Sequence, residues 1–172
     1  MMQERTGIVT MKGNPLTLLG PELKTGDQAP DFEVLNNSLQ PVQWTAYRGK
    51  ECVIVSVPSL DTPVCDLETR RFNREAAELG RDVAILTISM DLPFAQKRWC
   101  GAAGVDKVTT LSDHRQASFG AAYGVLIKEL RLLARTVFVV DRQGVIRYIQ
   151  VVKEVGQEPE YAPVLEAVRK LI

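Results

Sequence analysis

The sequence has few of the residues on which several protein classes depend. Only three of its 172 residues are cysteine, and one, His114, is histidine. Three cysteines argue against a secreted disulfide scaffold, and one histidine without a close cysteine pair does not give the ligand spacing of a zinc site. We therefore predict no metal site. We expect His114, which follows Asp113 at a predicted helix start, to be exposed or to cap that helix.

Net charge and long apolar runs are also lacking. Lys plus Arg and Asp plus Glu each total 21, so the net charge is zero, and we expect neither nucleic acid nor an anionic membrane as a partner. No segment approaches the roughly 20 apolar residues of a membrane span, and the first residues lack the apolar run of a signal peptide. We predict a cytoplasmic protein that binds small molecules or other proteins.

The apolar content is sufficient for one buried core. At 172 residues and 45% hydrophobic content, we predict a single domain over residues 1–172. Residues 1–20 are expected to form an N-terminal β-hairpin, with strands at 7–11 and 16–19 around a turn at 12–15. The alternation of apolar with small or polar residues on both sides of that turn is the basis of this prediction.

The rest of the chain alternates strand and helix patterns. Strands are predicted at 33–35, 52–57, 83–89, 108–111, 136–140 and 145–152, and helices at 65–79, 92–100, 116–122 and from Pro159 onward. We expect Gly101 to end the second helix. Parallel strands with helical crossovers, followed by a hairpin and a helix, predict an α/β protein with a thioredoxin-like fold, in which helices flank a central mixed sheet.

The segment 58–65 (PSLDTPVC) carries the strongest functional signal. It places Cys65 in the first turn of a helix that directly follows an apolar strand. Thr62 suits the N-cap, and Pro63 suits the first helical position because it has no N–H to leave unpaired. Unpaired N–H groups at that helix end carry about half a positive charge, which favours the thiolate over the thiol. We predict a reactive Cys65, to which the nearby Arg70 and Arg71 add positive charge.

Other interpretations of the three thiols stay open at this point. Cys65 could be a small buried apolar residue, or the nucleophile of a Cys-His hydrolase if His114 lay within reach of it. Cys100, at the end of a short helix, is the natural partner for a disulfide, and a packed apolar thiol is the alternative. Cys52 begins a core strand and is predicted to be a buried structural thiol.

The chain resembles the thiol peroxidase branch of the peroxiredoxins, the atypical two-cysteine type, almost from end to end. The pattern Pro58-x-x-x-Thr62-x-x-Cys65 matches the peroxiredoxin active-site motif. Four further segments also match this branch: Gly13-Asn14-Pro15, Ala29-Pro30-Asp31-Phe32, the run from Asp91 to Gln96 leading to Cys100-Gly101, and Ala134-Arg135. The chain departs from the family in its Trp99, where a smaller aromatic is more usual, in the additional thiol of Cys52 and in a slightly extended N-terminus.

This resemblance implies a site and a reaction. Cys65 would be the peroxidatic cysteine and Cys100 the resolving cysteine of the same subunit, and Thr62, Arg135 and Pro58 would complete the peroxide site. It implies hydroperoxide substrates, thioredoxin as reductant and a homodimer, with no cofactor. Disulfide geometry conflicts with a sulfur held in a helical turn, so we predict local unwinding around both cysteines. A one-cysteine peroxidase and a non-catalytic redox sensor are the alternatives.

Overall fold

The computed structural model describes all residues, Met1–Ile172. Eleven strands form: β1 Glu4–Met11, β2 Asn14–Leu19, β3 Glu33–Leu35, β4 Pro41–Gln43, β5 Glu51–Ser56, β6 Val83–Ser89, β7 Val108–Ser112, β8 Leu126–Ile127, β9 Leu132–Leu133, β10 Thr136–Val140 and β11 Ile146–Val151. The four α-helices are α1 Pro63–Leu79, α2 Pro93–Ala103, α3 Ser118–Ala122 and α4 Tyr161–Arg169, and a 3-10 turn covers Trp44–Tyr47. None of the helices combines the length and apolar content needed to cross a membrane.

Seven strands make the central sheet, in the order β11-β10-β5-β6-β7-β3-β4. β5, β6 and β7 are parallel neighbours joined through α1 and α2, whereas β10 pairs antiparallel with both β5 and β11. The sheet is therefore mixed, and the predicted thioredoxin-like class, with helices flanking a central sheet, is confirmed. The sequence predictions of β6 and β10 also have the observed bounds.

The sheet separates two apolar clusters. Alternate residues of β5 enter opposite clusters, as the two-residue period of a strand requires: Ile54 packs on the side of α3, and Val55 packs on the side of α1 and α4. Phe72 of α1 and Tyr161 of α4 meet on this second side, with ring centroids 5.4 Å apart. Cys65 lies in the second cluster, so the candidate site is built into the layer between α1 and the sheet.

The N-terminal hairpin is present, with longer strands and a tighter turn than predicted. The turn contains only Lys12 and Gly13, both at positive φ (50° and 80°). Positive φ at both central residues is typical of a type I′ hairpin turn, whose twist matches that of the paired strands. β2 also pairs with β8, and β8 with β9, so the hairpin belongs to a second, four-stranded sheet. The two-residue strands β8 and β9, together with β4, were not predicted because such short strands have no readable period.

The predicted end of α2 was wrong. The helix continues through Gly101 and ends at Gly104, which has the left-handed φ of 67° typical of a helix C-terminus. The N–H groups of Gly104 and Val105 both donate hydrogen bonds to the Cys100 carbonyl, and these bonds close the last turn of the helix. Gly101 is exposed and nothing requires its conformational freedom. Cys100 therefore lies inside the final turn of α2 rather than at its end.

The start of α3 differs from prediction in a similar way. The helix begins at Ser118, and the neighbouring Asp113, not His114, satisfies its N–H groups. The Asp113 carboxylate accepts hydrogen bonds from the N–H groups of Phe119 (3.1 Å) and Gly120 (2.8 Å). Asp113 is buried, and His114 is half-buried. The capping role expected of His114 therefore belongs to Asp113.

Asp113 should make stability depend on pH. Burial raises its pKa from 3.8 to about 6, although the backbone N–H donors limit the rise. The folded protein therefore binds this proton more tightly than the unfolded chain does. The stabilisation of the fold by protonated Asp113 is complete below about pH 4 and is lost as the pH rises to about 6. Across that range the free energy of unfolding of the wild type should fall relative to that of Asp113→Asn by about 3 kcal/mol.

Urea unfolding of both proteins between pH 4 and 7 measures this difference. Asp106→Asn, which removes an exposed carboxylate, is the matched control for the loss of one negative charge. A difference between the wild type and Asp113→Asn that does not change with pH would contradict the prediction.

Candidate active site

The local structure around Cys65 follows from three residues of its own segment. Cys65 is the third residue of α1, and its N–H donates to the Thr62 hydroxyl oxygen at 3.3 Å, so Thr62 is the N-cap and Pro63 is the first helical residue. The Thr62 hydroxyl in turn donates to the Ser59 carbonyl at 3.0 Å. Cys65 is fully buried (0% exposed). Its sulfur thus lies at the electropositive end of a 17-residue helix, shielded from bulk water.

Arg135 provides the charge partner of Cys65. It directly precedes β10 and is 1% exposed, which agrees with the apolar residues that precede it in the sequence. Its Nη2 donates to the Cys65 sulfur at 3.3 Å, and its Nη2 and Nε both donate to the Val155 carbonyl, at 2.9 and 3.2 Å. A guanidinium fixed at several points can hold one N–H on the sulfur without rearrangement.

Glu68 completes this group and was missed in the sequence analysis. It lies three residues after Cys65, which puts both on one face of α1, and it is fully buried (0% exposed). Its Oε2 forms an ion pair with Nη1 of Arg135, whereas its Oε1 has no hydrogen-bond partner. The i, i+3 spacing from Cys65 was the only signal in the sequence that could have identified it.

The electrostatics of the three groups are coupled. Burial alone would lower the pKa of Arg135, but the charges and hydrogen bonds of Glu68 and Cys65 outweigh it and raise that pKa. Burial raises the pKa of Glu68, and the Arg135 guanidinium limits the rise. Arg135 therefore stays charged although it is buried, and its ion pair with Glu68 holds it in place.

The arginines that the sequence analysis placed near Cys65 face elsewhere. Arg70 pairs with Asp66 at 2.9 Å, and the guanidinium of Arg71 lies 4.2 Å from the ring centroid of Tyr161. Arg135, which comes 70 residues later in the chain, is the arginine that reaches the sulfur.

The loop between β5 and α1 is tied to the loop before α2. Pro58 is buried two residues after the end of β5. Beyond it, the Asp91 carboxylate accepts from the Ser59 hydroxyl at 2.7 Å and from the Leu60 N–H at 2.8 Å. The Ser89 hydroxyl also donates to Asp91, at 2.7 Å. Asp91 therefore shapes the loop that carries the cap of Cys65, a role that the sequence analysis did not identify.

The other two thiols have different surroundings. Cys100 is half-buried, and its sulfur lies 3.3 Å from the hydroxyl oxygen of Thr110 in β7. Cys52 is fully buried in the apolar cluster on the opposite side of the sheet from Cys65, and burial raises its pKa to about 12. All three cysteines are free thiols. The structure therefore gives Cys52 the character of an inert structural thiol.

Two further features bear on the sequence predictions. No group of three or more His, Cys, Asp or Glu side chains is arranged to hold a metal ion. The one histidine has no hydrogen bond to Cys65 or to Arg135, and the group that contacts the sulfur is a guanidinium. The site therefore lacks the imidazole base of a Cys-His hydrolase.

Comparison with known proteins places this geometry in a family. The family described as Redoxin matches residues 24–165. A thiol peroxidase of Bacillus subtilis is 58% identical over 164 residues, which cover 95% of this chain and 98% of the relative. The chain belongs to the thiol peroxidase branch of the redoxins. A Listeria innocua thiol peroxidase, 55% identical over 94% of this chain and 98% of its own length, agrees with this assignment.

Solved structures support the same family. A peroxiredoxin-like protein from Aquifex aeolicus superposes with a TM-score of 0.90 at 45% identity, covering 99% of both chains. A thiol peroxidase from Chromobacterium violaceum has a TM-score of 0.83 at 19% identity, covering 94% of this chain and 95% of that one, which shows the shared fold alone. The sequence-based identification of a peroxiredoxin with thiol-dependent peroxidase activity is confirmed.

Proposed function

We propose that this thiol peroxidase reduces hydrogen peroxide and organic hydroperoxides with Cys65 as the attacking group and Cys100 as the resolving thiol of the same subunit. One observation carries the proposal: the Cys65 sulfur lies at the N-terminus of α1 with Nη2 of Arg135 only 3.3 Å away, in a fully buried position. Helix dipole and guanidinium both favour a sulfur anion there.

The first step is an in-line displacement at oxygen. The Cys65 thiolate attacks the terminal oxygen of the peroxide, so an S–O bond forms while the O–O bond breaks. The sulfur is oxidised to a sulfenic acid, and the leaving oxygen takes the electron pair and then a proton to become water or an alcohol. Negative charge moves from the sulfur to the leaving oxygen. Hydrogen-bond donors that already face the position of that oxygen therefore stabilise the transition state best.

Arg135 is such a donor, whereas Thr62 must change its partner. The Arg135 guanidinium already donates to the sulfur and can follow the charge onto the leaving oxygen. The Thr62 hydroxyl donates to the Ser59 carbonyl, so it has to rotate before it can donate to a peroxide. Pro58 has no N–H, and as a rigid buried wall it helps to keep water from the sulfur.

The second step joins Cys65 and Cys100. The Cys100 thiol attacks the sulfenic sulfur, an S–S bond forms, the S–O bond breaks and water leaves. The Cys65 sulfur contacts Arg135, which directly precedes β10, whereas the Cys100 sulfur contacts Thr110 of β7, and β5 and β6 lie between those two strands in the sheet. A disulfide requires Cα atoms within about 7 Å, and each cysteine is held in a helical turn. The ends of α1 and α2 therefore have to unwind.

The proposal includes a reductant and an assembly. Thioredoxin supplies two electrons and two protons by thiol–disulfide exchange at the disulfide that unwinding exposes, and this restores both thiols. We further propose a homodimer in the cytoplasm. Support for these points comes from the family resemblance and, for the cytoplasm, from the total of three cysteines, which does not fit a secreted disulfide scaffold.

Repeated turnover tests the proposed function. With thioredoxin, thioredoxin reductase and NADPH, we expect many equivalents of peroxide to be consumed per protein, measured by NADPH oxidation. Consumption of a single equivalent would indicate a redox sensor instead. Full turnover by Cys100→Ser would indicate a one-cysteine peroxidase.

A further inference from the structure

The residues that flank the two reacting cysteines are joined by a direct hydrogen bond. The indole N–H of Trp99, next to Cys100, donates to Oδ1 of Asp66, next to Cys65, at 2.8 Å. Oδ2 of the same carboxylate accepts from Nε of Arg70 at 2.9 Å. Asp66 therefore connects α2 to the first turn of α1, directly beside both reacting cysteines in the sequence.

Arg70 adds a second link between the two helices. Its Nη1 donates to the carbonyl of Ala103 at 3.1 Å, and its guanidinium carbon lies 5.8 Å from the ring centroid of Trp99. Ala103 is the last residue of α2, so its carbonyl has no partner within the helix. This carbonyl lies at the negative end of the helix dipole. We refer to Asp66, Arg70, Trp99 and the Ala103 carbonyl as the α1–α2 clasp.

The clasp stabilises the two helix ends that have to open. Asp66 places a negative charge in the first turn of α1, where the helix end is partly positive. Arg70 places a positive charge at the last turn of α2, where the helix end is partly negative, so each charge stabilises the helix end beside it. The indole–carboxylate bond spans the two turns. Unwinding around either cysteine moves Asp66 or Trp99 and breaks it.

We propose that the α1–α2 clasp is a gate on disulfide formation, with Asp66 and Trp99 as positioning residues that hold the cysteines in their helices. This inference rests on the proposed function, because it concerns the fate of the Cys65 sulfenic acid. With the clasp closed, the sulfenic acid stays in the peroxide site. With the clasp open, it can reach Cys100.

The two fates of the sulfenic acid make the gate measurable. In one, the Cys100 sulfur displaces the sulfenic oxygen, which leaves as water. In the other, the sulfenic sulfur attacks a second peroxide, gains a second oxygen to become a sulfinic acid, and releases water or an alcohol. Only the second fate depends on peroxide concentration. The ratio of disulfide to sulfinic acid therefore reports how quickly the clasp opens.

Trp99→Phe removes the indole N–H and keeps an aromatic ring. We expect the disulfide to form roughly five- to tenfold faster, because a hydrogen bond to a charged group no longer opposes unwinding. The peroxide concentration that converts half of Cys65 to sulfinic acid should rise by the same factor. Rapid quenching with an alkylating reagent, followed by intact-mass analysis, measures both quantities.

Asp66→Ala and the double variant identify the pair as the cause. Asp66→Ala alone should also accelerate disulfide formation, and it carries the test if Trp99→Phe does not fold. Adding Trp99→Phe to Asp66→Ala should give no further acceleration, since the hydrogen bond is already lost. Glu75→Ala is the matched control, because Glu75 pairs with Arg71 on α1 at 3.8 Å and plays no part in the clasp. It should leave the rate unchanged.

Two results would overturn the gate: an unchanged or slower disulfide rate in Trp99→Phe, or the same acceleration by Trp99→Phe with and without Asp66. Failure of the proposed function has a separate signature. The wild type itself would then give no Cys65–Cys100 linkage with peroxide.

Discussion

Cys65→Ser is expected to abolish peroxide turnover, with a loss of at least about 10³-fold in the rate of peroxide consumption. A serine hydroxyl fits the space of the thiol, but it does not ionise beside Arg135 near neutral pH and is a poor nucleophile toward oxygen. NADPH-coupled consumption in the thioredoxin system measures the loss. Circular dichroism and the urea midpoint should show that the fold persists, because α1 keeps its Thr62 cap.

The other two thiols are internal controls for that result. Cys52→Ser should retain near-normal turnover, since Cys52 lies in the apolar cluster on the other side of the sheet. Cys100→Ser should still consume one equivalent of peroxide rapidly but turn over poorly with thioredoxin. Substantial activity in Cys65→Ser, or complete loss in Cys52→Ser, would show that the wrong sulfur has been assigned the attacking role.

Arg135→Met should lower both the rate of peroxide reduction and the stability. The rate of Cys65 oxidation is expected to fall by about 10²- to 10³-fold, the usual effect of removing a donor that stabilises developing negative charge. Stability should fall by about 3–5 kcal/mol, because Glu68 is left buried without its counter-charge. Stopped-flow oxidation and urea unfolding measure the two effects.

The double variant Arg135→Met with Glu68→Met separates catalysis from stability. Replacing both members of a buried ion pair by apolar residues of similar size restores most of the stability. The oxidation rate should stay low, because the guanidinium is still absent. Recovery of the rate along with the stability would show that Arg135 acts only by holding the fold together.

Some parts of the site could be predicted because local chemistry determines them. Thr62, Pro63 and Cys65 have the order that a helix start requires, and their positions depend on no distant residue. Arg135 follows an apolar run that leads into a core strand, which made its burial predictable. Parallel strands and crossover helices could be recognised from strong apolar periods, and β6 and β10 have the predicted bounds.

The parts that could not be predicted depend on contacts across the fold. Glu68 and Asp66 both belong to a charged stretch of α1, and the sequence does not show that the first is buried against Arg135 whereas the second reaches Trp99. Asp91 acts through hydrogen bonds to Ser59 and Leu60, some 30 residues earlier in the chain. The sequence offers two glycines, Gly101 and Gly104, that could each end α2. Only the backbone conformation shows that Gly104, with its φ of 67°, is the residue at the helix C-terminus.

Mass spectrometry of the oxidised protein tests the central assignment most directly. After one equivalent of hydrogen peroxide without reductant, digestion should release one disulfide-linked peptide pair that joins Cys65 to Cys100, with Cys52 still alkylatable after denaturation. A Cys65 that persists as sulfenic or sulfinic acid while Cys100 stays a free thiol would contradict the account.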